Sequence, residues 1–467
     1  MRLIRVLLIL AVLFVLLGVG FVAATWESEI APIARPDAGT FDPELVKRGA
    51  QLAAVGNCIA CHTVPGGKAF AGSLPIPTQF GTIYSTNITP DEQTGIGRWD
   101  EAAFARAMRK GVDRDGNHLY PAFPYDHFTL VSDEDNQALY AYLMTRQPAA
   151  ATAPRNDLIF PLNIRPLVGA WDLLFLEEGP YQPDPSQSDA WNRGAYLAEG
   201  LGHCGACHTP RNPLGAERRA LAFSGGEAEG WVAYAINSAS PAPIPWDKDG
   251  LAFYLRHGYH PAHGVSRGPM AEVTGNLAGL PDQDVMAIAT YVQSRMGEPS
   301  AERQAKAQQL QALIPGNPVS PASVTGEETI ANPGGSYRGI AVYRSACVSC
   351  HESNRALPFG GLPFRLSTAV NAPDPQNIIN VVMFGLPPAD GELSAVMPAF
   401  GDALSDGDLA ALLRYMRSAF SGAAPWPDLD AQIRDTRSGT HAVRVRPADG
   451  IERSPANVGA LNIGAED

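Results

Sequence analysis

Cys58, Cys61 and His62 stand in the order Cys-x-x-Cys-His, and the same order recurs at Cys204, Cys207, His208 and at Cys347, Cys350, His351. The chain has six cysteines, and all six belong to these three copies. Two thiols separated by two residues on a helical turn reach one edge of a flat macrocycle, and the next residue brings an imidazole to its centre. This is the chemistry of covalent haem c attachment. Each thiol adds across a vinyl group, and His62, His208 and His351 give iron its proximal nitrogen. A Cys-x-x-Cys pair alone can be a redox dithiol or half of a zinc site. Neither needs a His after the second Cys in every copy, and zinc sites draw on paired knuckles where this chain has three. The pattern predicts three covalent haems c, with iron as the metal.

A His-bound iron that carries electrons takes a second axial group, and Met is common because it raises the potential. Met270, in Gly268-Pro269-Met270, and Met397, in Met397-Pro398-Ala399-Phe400, stand in Pro-flanked stretches expected to be loops ahead of a closing helix. A lone Met is ordinarily core filler, but this placement favours ligation at both. The first copy differs. Met270 lies 62 residues after His208, and 61 residues after His62 stands Phe123, which cannot bind iron. His127, in Tyr125-Asp126-His127-Phe128, is the favoured sixth ligand there. Met108, within an expected helix Ala102–Lys110, His118, in a turn, and an open iron remain alternatives. His203, His257, His260, His263 and His441 read as surface or structural residues. The 257–263 group is a weak metal candidate without a nearby carboxylate.

The three motifs sit in a longer repeat. Each copy opens with a helix that delivers the cysteines and carries an Arg-Gly step: Arg48-Gly49, Arg193-Gly194, Arg338-Gly339. The glycine predicts an approach where only a hydrogen side chain fits. Each copy ends in a helix starting near Ser132, Pro281 or Ser405, with Asp or Ser at its positive end. An apolar stripe follows in each: Leu139 to Leu143, Ile288 to Val292, Leu412 to Met416. The expected fold is mainly α, with three class I cytochrome c domains in tandem at 40–147, 188–298 and 335–421. Segment 1–27 precedes them as anchor or signal, and 148–187 is an apolar linker. A second linker, 299–334, begins with a helical stretch Ala301–Leu313, and 422–467 is an extended C-terminal tail.

Arg2 and Arg5 precede an uncharged apolar run from Val6 to Thr25, closed by Trp26. Its 20 residues match a bilayer span. Val22-Ala23-Ala24 would also suit a signal-peptide cut. Either way the basic end stays cytoplasmic and the body is exported. A retained single anchor would place the chain on the periplasmic side of the inner membrane. The net charge of −13 argues against nucleic acid, which selects basic surfaces. No G-x-G-x-x-G follows a strand, so no dinucleotide loop is expected.

Beyond the haem motifs, the chain resembles the three-haem cytochrome c subunits of bacterial membrane-bound dehydrogenases along essentially its whole length. The specific pieces are Phe80-Gly81-Thr82-Ile83-Tyr84, Asn87-Ile88-Thr89-Pro90-Asp91, Thr94-Gly95-Ile96-Gly97 with Trp99, and Pro161-Leu162-Asn163-Ile164-Arg165. Members serve quinoprotein alcohol dehydrogenases, flavin gluconate or sorbitol dehydrogenases, and molybdenum aldehyde or N-heterocycle dehydrogenases. The resemblance implies a catalytic partner that oxidises substrate, haems that relay electrons, and ubiquinone as acceptor. Pro121-Ala122-Phe123-Pro124-Tyr125-Asp126-His127 departs from the Pro-Ala-Met-Pro-Tyr loop of the alcohol type. It resembles the molybdenum branch, so the first expectation is an aldehyde dehydrogenase with molybdopterin and iron–sulfur subunits. A pyrroloquinoline quinone alcohol dehydrogenase or flavin gluconate dehydrogenase is the alternative within the family. A peroxidase-like enzyme using an open first haem, and a soluble shuttle, are the readings from other classes.

Overall fold

The computed structural model describes residues 2–314, 337–353, 355, 360–386 and 397–443. The chain is mainly helical, and its strands are short. Its described residues form two compact units: 2–183 with Glu199–His203, and Asp184–Ala198 with those from Cys204 to residue 443.

The first unit begins with the helix Arg2–Thr25, none of whose residues is buried. Its mean hydropathy is 3.2, and among the described residues it is the one helix long and apolar enough to cross a membrane. The haem-bearing part follows. The opening helix Pro43–Val55 starts where Asp42 accepts from the Glu44 amide and Pro43 takes the first helical position. It packs along the closing helix Asp133–Met144, whose Ser132 cap accepts from the Asp135 amide. Gly49 makes the crossing possible. A methyl group there would lie 1.9 Å from the Ala138 carbonyl oxygen and 2.7 Å from Cβ of Tyr142. Arg48 donates to the Asp135 carboxylate beside it (Nε–Oδ1 2.6 Å). A small antiparallel sheet joins Pro75–Thr78, Gly81–Tyr84 and Asp157–Leu158 at the edge of this unit.

The second unit repeats the crossing twice. Helices Asp189–Glu199 and Asp282–Met296 meet at Gly194, where a methyl would stand 1.9 Å from the Ala287 oxygen. Arg193 grips Asp284 with two hydrogen bonds, 2.9 and 3.0 Å. Helices Tyr337–Ala346 and Asp406–Met416 meet at Gly339, 2.3 Å from the Ala411 oxygen by the same measure, and Arg338 pairs with Asp408. The closing helices differ at their starts. Ser405 caps the third as Ser132 caps the first, but Pro281 gives the second no side-chain cap.

The two copies in this unit are tied together by amide side chains. Asn377, on the helix Gln376–Phe384, accepts from the Val232 amide (2.9 Å) and donates to its carbonyl (2.8 Å), as a neighbouring strand would. Asn380 donates to the Gly230 carbonyl (2.9 Å).

The expected ranges 40–147, 188–298 and 335–421 each contain one helix pair. The linker helix is found at Ala301–Gln311, and the remainder of that linker, 315–336, lies outside the described residues. The extended tail needs correction. Leu429–Ser438 is a helix, and Trp426, Leu429 and Ile433 are buried in the third core against the closing helix. Leu429, Ile433 and Thr436 share one face at helical spacing, too short a stripe to stand out in a polar stretch. Residues 444–467 lie outside the described residues.

Candidate functional site

The three Cys-x-x-Cys-His motifs form short helical turns at the ends of their opening helices: Cys58–Cys61, Gly205–His208 and Val348–His351. The His62 amide bonds to the Cys58 carbonyl, His208 to Cys204 and His351 to Cys347, each at 3.0 Å. One turn therefore carries both sulfurs and the imidazole together. Burial pushes the Cys58 thiol up to about 12 and the Cys207 and Cys347 thiols up to about 11. Redox dithiols work through a lowered thiol pKa, and burial moves one thiol of each pair the other way.

The histidines share one arrangement. Nδ1 of His62 meets the Thr86 carbonyl at 2.6 Å, that of His208 the Tyr234 carbonyl at 2.6 Å, and that of His351 the Leu362 carbonyl at 2.9 Å. A carbonyl oxygen only accepts, so each ring carries its proton on Nδ1 and its lone pair on Nε2, the nitrogen that serves iron. Burial lowers the pKa of all three, against the carbonyl hydrogen bond, so each imidazole stays neutral as a ligand must. Burial raises the pKa of Tyr234, whose hydroxyl has the Asn377 side chain beside it. The donor set and the tautomers fit haem c.

The carbonyl for His62 is held by the segment that carries the family-specific residues. Asn87 accepts from the amide and hydroxyl of Thr89 (2.9 and 2.7 Å) and donates to the Ala149 carbonyl (2.6 Å). Gly72, at φ +73°, lets the chain pass so close to Thr86 that a methyl would stand 2.4 Å from its carbonyl carbon.

On the distal side the structure separates the candidates. His127 is buried on the short helix Tyr125–Phe128, and its Nδ1 donates to the Glu199 carbonyl at 2.6 Å, giving it the tautomer of the three proximal rings. Its ring neighbours His203, which precedes Cys204. Phe123 packs on Tyr125 and Phe128. Met108 is buried inside the helix Glu101–Lys110. His118 is committed at both nitrogens. Nδ1 donates to the Asp172 carboxylate (2.7 Å) and Nε2 to the Thr25 carbonyl (2.8 Å), and the Asp172 hydrogen bond chiefly raises its pKa. Both ring nitrogens are thus engaged within the protein, and neither faces an iron site.

Met270 is the second residue of the helix Pro269–Leu277 and not a loop residue, because Pro269 starts that helix. Met397 pairs with Leu386 across an isolated bridge (2.8 and 2.9 Å) and packs half-buried on the third core. The weak metal candidate dissolves into aromatic packing. His263 stacks on Trp246 with ring centroids 3.5 Å apart, and His257 lies 4.4 Å from the Phe253 ring. Burial, with His260 beside it, drives the His263 pKa down to about 2.

Residues 46–147 match the family described as cytochrome c, and residues 337–416 match cytochrome C oxidase, cbb3-type, subunit III. The gluconate 2-dehydrogenase cytochrome c subunit of Pantoea cypripedii is 38% identical over 398 residues, 81% of this chain and 86% of that one. The chain belongs to the family of dehydrogenase cytochrome c subunits. The cytochrome c subunit of Gluconobacter oxydans alcohol dehydrogenase (quinone) is 36% identical, covering 85% of this cytochrome and 83% of that subunit. A nicotinate dehydrogenase subunit of Pseudomonas putida is 45% identical over 91% of this cytochrome. That match spans 35% of the longer relative. Covalent haem c follows from the family as well as from the donor set.

Proposed function

We propose that this cytochrome carries three haems c and relays electrons from a catalytic dehydrogenase subunit to ubiquinone at the periplasmic face of the inner membrane. The observation that carries the reading is the threefold recurrence of one frame: a Cys-x-x-Cys-His turn, an Nδ1–carbonyl bond, and an Arg–Asp pair beside a glycine crossing. When bound, haem supplies a one-electron iron couple. The chain's own residues would then act as follows. Cys58, Cys61, Cys204, Cys207, Cys347 and Cys350 tether the macrocycles. His62, His208 and His351 ligate from one side, held by their carbonyls. His127, Met270 and Met397 ligate from the other. His127 in place of a thioether lowers the first potential relative to the other two.

The first choice of catalytic partner is a molybdopterin aldehyde dehydrogenase with a small iron–sulfur subunit. The Phe123–His127 loop supports that branch. The nicotinate dehydrogenase relative brings N-heterocycles into the same range of substrates. The gluconate and alcohol relatives keep flavin and quinoprotein partners as the alternative. Purification of the native complex decides among them: co-purifying subunits should carry molybdenum, and a flavin or quinoprotein subunit would displace the first choice. Pyridine haemochrome should return three haems per chain; two or fewer in fully matured protein would remove one motif from the relay. A peroxidase-like role requires a first iron that binds carbon monoxide in the unaltered protein.

A further inference from the structure

Outside the N-terminal helix, large exposed apolar side chains cluster in one place. Ile159, Phe160, Ile164, Leu167, Leu173 and Leu174 are all exposed, Phe160 at 78% and Leu174 at 68%. They occupy one short stretch ending in the helix Val168–Phe175. Of the two charged residues in this stretch, Asp172 is engaged within the fold, while Arg165 keeps 41% of its side chain exposed and pairs with Asp113 (3.3 Å). Asp172 takes hydrogen bonds from His118 and from the Tyr125 hydroxyl (2.6 Å), and Arg165 donates to the His118 carbonyl (2.6 Å).

The helix Val168–Phe175 is fastened to the last residue of the apolar span. His118 bridges them, with Asp172 on one ring nitrogen and the Thr25 carbonyl on the other. Gly169 lies so close to Thr25 that a methyl there would stand 2.7 Å from its Cβ. Trp26, 74% exposed, follows immediately. A span ends at the headgroup level, where Trp is at home. Leu173 and Leu174 are therefore presented at the level of the bilayer surface.

We propose that residues Ile159–Leu174 form a second membrane contact, lying in the lipid interface beside the anchor and fixing the tilt of the first haem module. The proposal rests on Arg2–Thr25 being a retained anchor. An apolar face at that depth meets acyl chains, and the half-exposed Arg165 keeps its guanidinium at the headgroup level. A protein partner is the less favoured cover, since it would have to seat itself against the bilayer.

The test uses the full-length haem-loaded protein in vesicles of phosphatidylethanolamine and phosphatidylglycerol. The vesicles include a phospholipid with a diazirine on its acyl chain, and adducts are mapped by peptide mass spectrometry after photolysis. Adducts are expected on Arg2–Thr25 and on 158–175. Leu173→Glu with Leu174→Glu should abolish the adducts on 168–175 while leaving anchor adducts and the haem spectrum unchanged. Adducts on the anchor without any on 158–175 in the unaltered protein overturn the proposal and leave the anchor standing. Adducts on neither overturn both. Adducts on 158–175 that vanish once the catalytic subunit is bound show a protein cover and also overturn it. A cleaved N-terminus removes the anchor and overturns the proposal of a second contact beside it.

Discussion

Replacing Gly194 with alanine should destabilise the second module although alanine is the better helix former. The added methyl would lie 1.9 Å from the Ala287 carbonyl oxygen, where ordinary contact begins at 3.4 Å. The obstacle is backbone within the helix Asp282–Met296, so no side chain can rotate away. The two helices must separate by about 1.5 Å, which opens a seam along the whole crossing. Overpacking of this kind costs about 1–3 kcal/mol and occasionally more. The gain in helix propensity returns about 1 kcal/mol, so the balance is a net loss of up to about 2 kcal/mol. For a module of this size that corresponds to a Tm lowered by about 4–8 °C per kcal/mol. Gly49→Ala should behave alike, and Gly339→Ala should be milder, since its methyl would stand 2.3 Å from the Ala411 oxygen. Gly279→Ala is the control, with nothing within 4 Å of the added group. Thermal unfolding followed by circular dichroism and the Soret band, on fully haem-loaded protein, measures all four. A Gly194→Ala protein as stable as the Gly279→Ala control would refute the reasoning.

His127→Ala should leave one of three haems high-spin and open to carbon monoxide; three unchanged low-spin spectra would place the ligand elsewhere, with Met108 the next residue to replace. His118 has a folded pKa raised above its ordinary value, chiefly by Asp172. Its clamp is therefore complete below about pH 6.5 and is lost as pH rises through the raised folded value. Amide protection factors in Val168–Phe175 should fall toward alkaline pH, and His118→Asn should erase that slope; a slope that persists in the variant argues that another group titrates. Ile433→Ala removes a fully buried side chain of the third core and should cost about 2–5 kcal/mol in that module alone, whereas an unchanged unfolding curve would mean that Leu429–Ser438 is not docked in solution.

What the sequence made legible depended on whether side chains or backbone carry the information. Arg48-Gly49 and its two counterparts announced the crossing, because a glycine amid helix formers is a side-chain fact, whereas the Arg–Asp pairs that lock each crossing appeared only in the fold. The carbonyls of Thr86, Tyr234 and Leu362 that orient the proximal imidazoles left no such trace, since any residue type supplies a carbonyl. His118 looked like a spare ligand because its partners stand 54 and 93 residues away in sequence. Pro269 read as loop punctuation, yet at the first position of a helix it is a starter. The docking of Leu429–Ser438 rests on two buried aliphatics, a signal too small to separate from a polar tail.

The crossing residues and the distal loops occupy different parts of each repeat. Arg193, Gly194 and Asp284 hold their helix pair without help from the Met270 helix, and Arg48, Gly49 and Asp135 do the same beside a loop that has Phe123 and His127. Such a division lets the electrochemistry drift while the scaffold stays constant. In the proposed ligand set, a thioether on the helix Pro269–Leu277 in one copy is an imidazole on the short helix Tyr125–Phe128 in another, while the helix crossing is the same in both. If the proposed ligands hold, substitutions near Phe123–His127 would change one potential while the crossing that carries its Cys-x-x-Cys-His turn stays as it is.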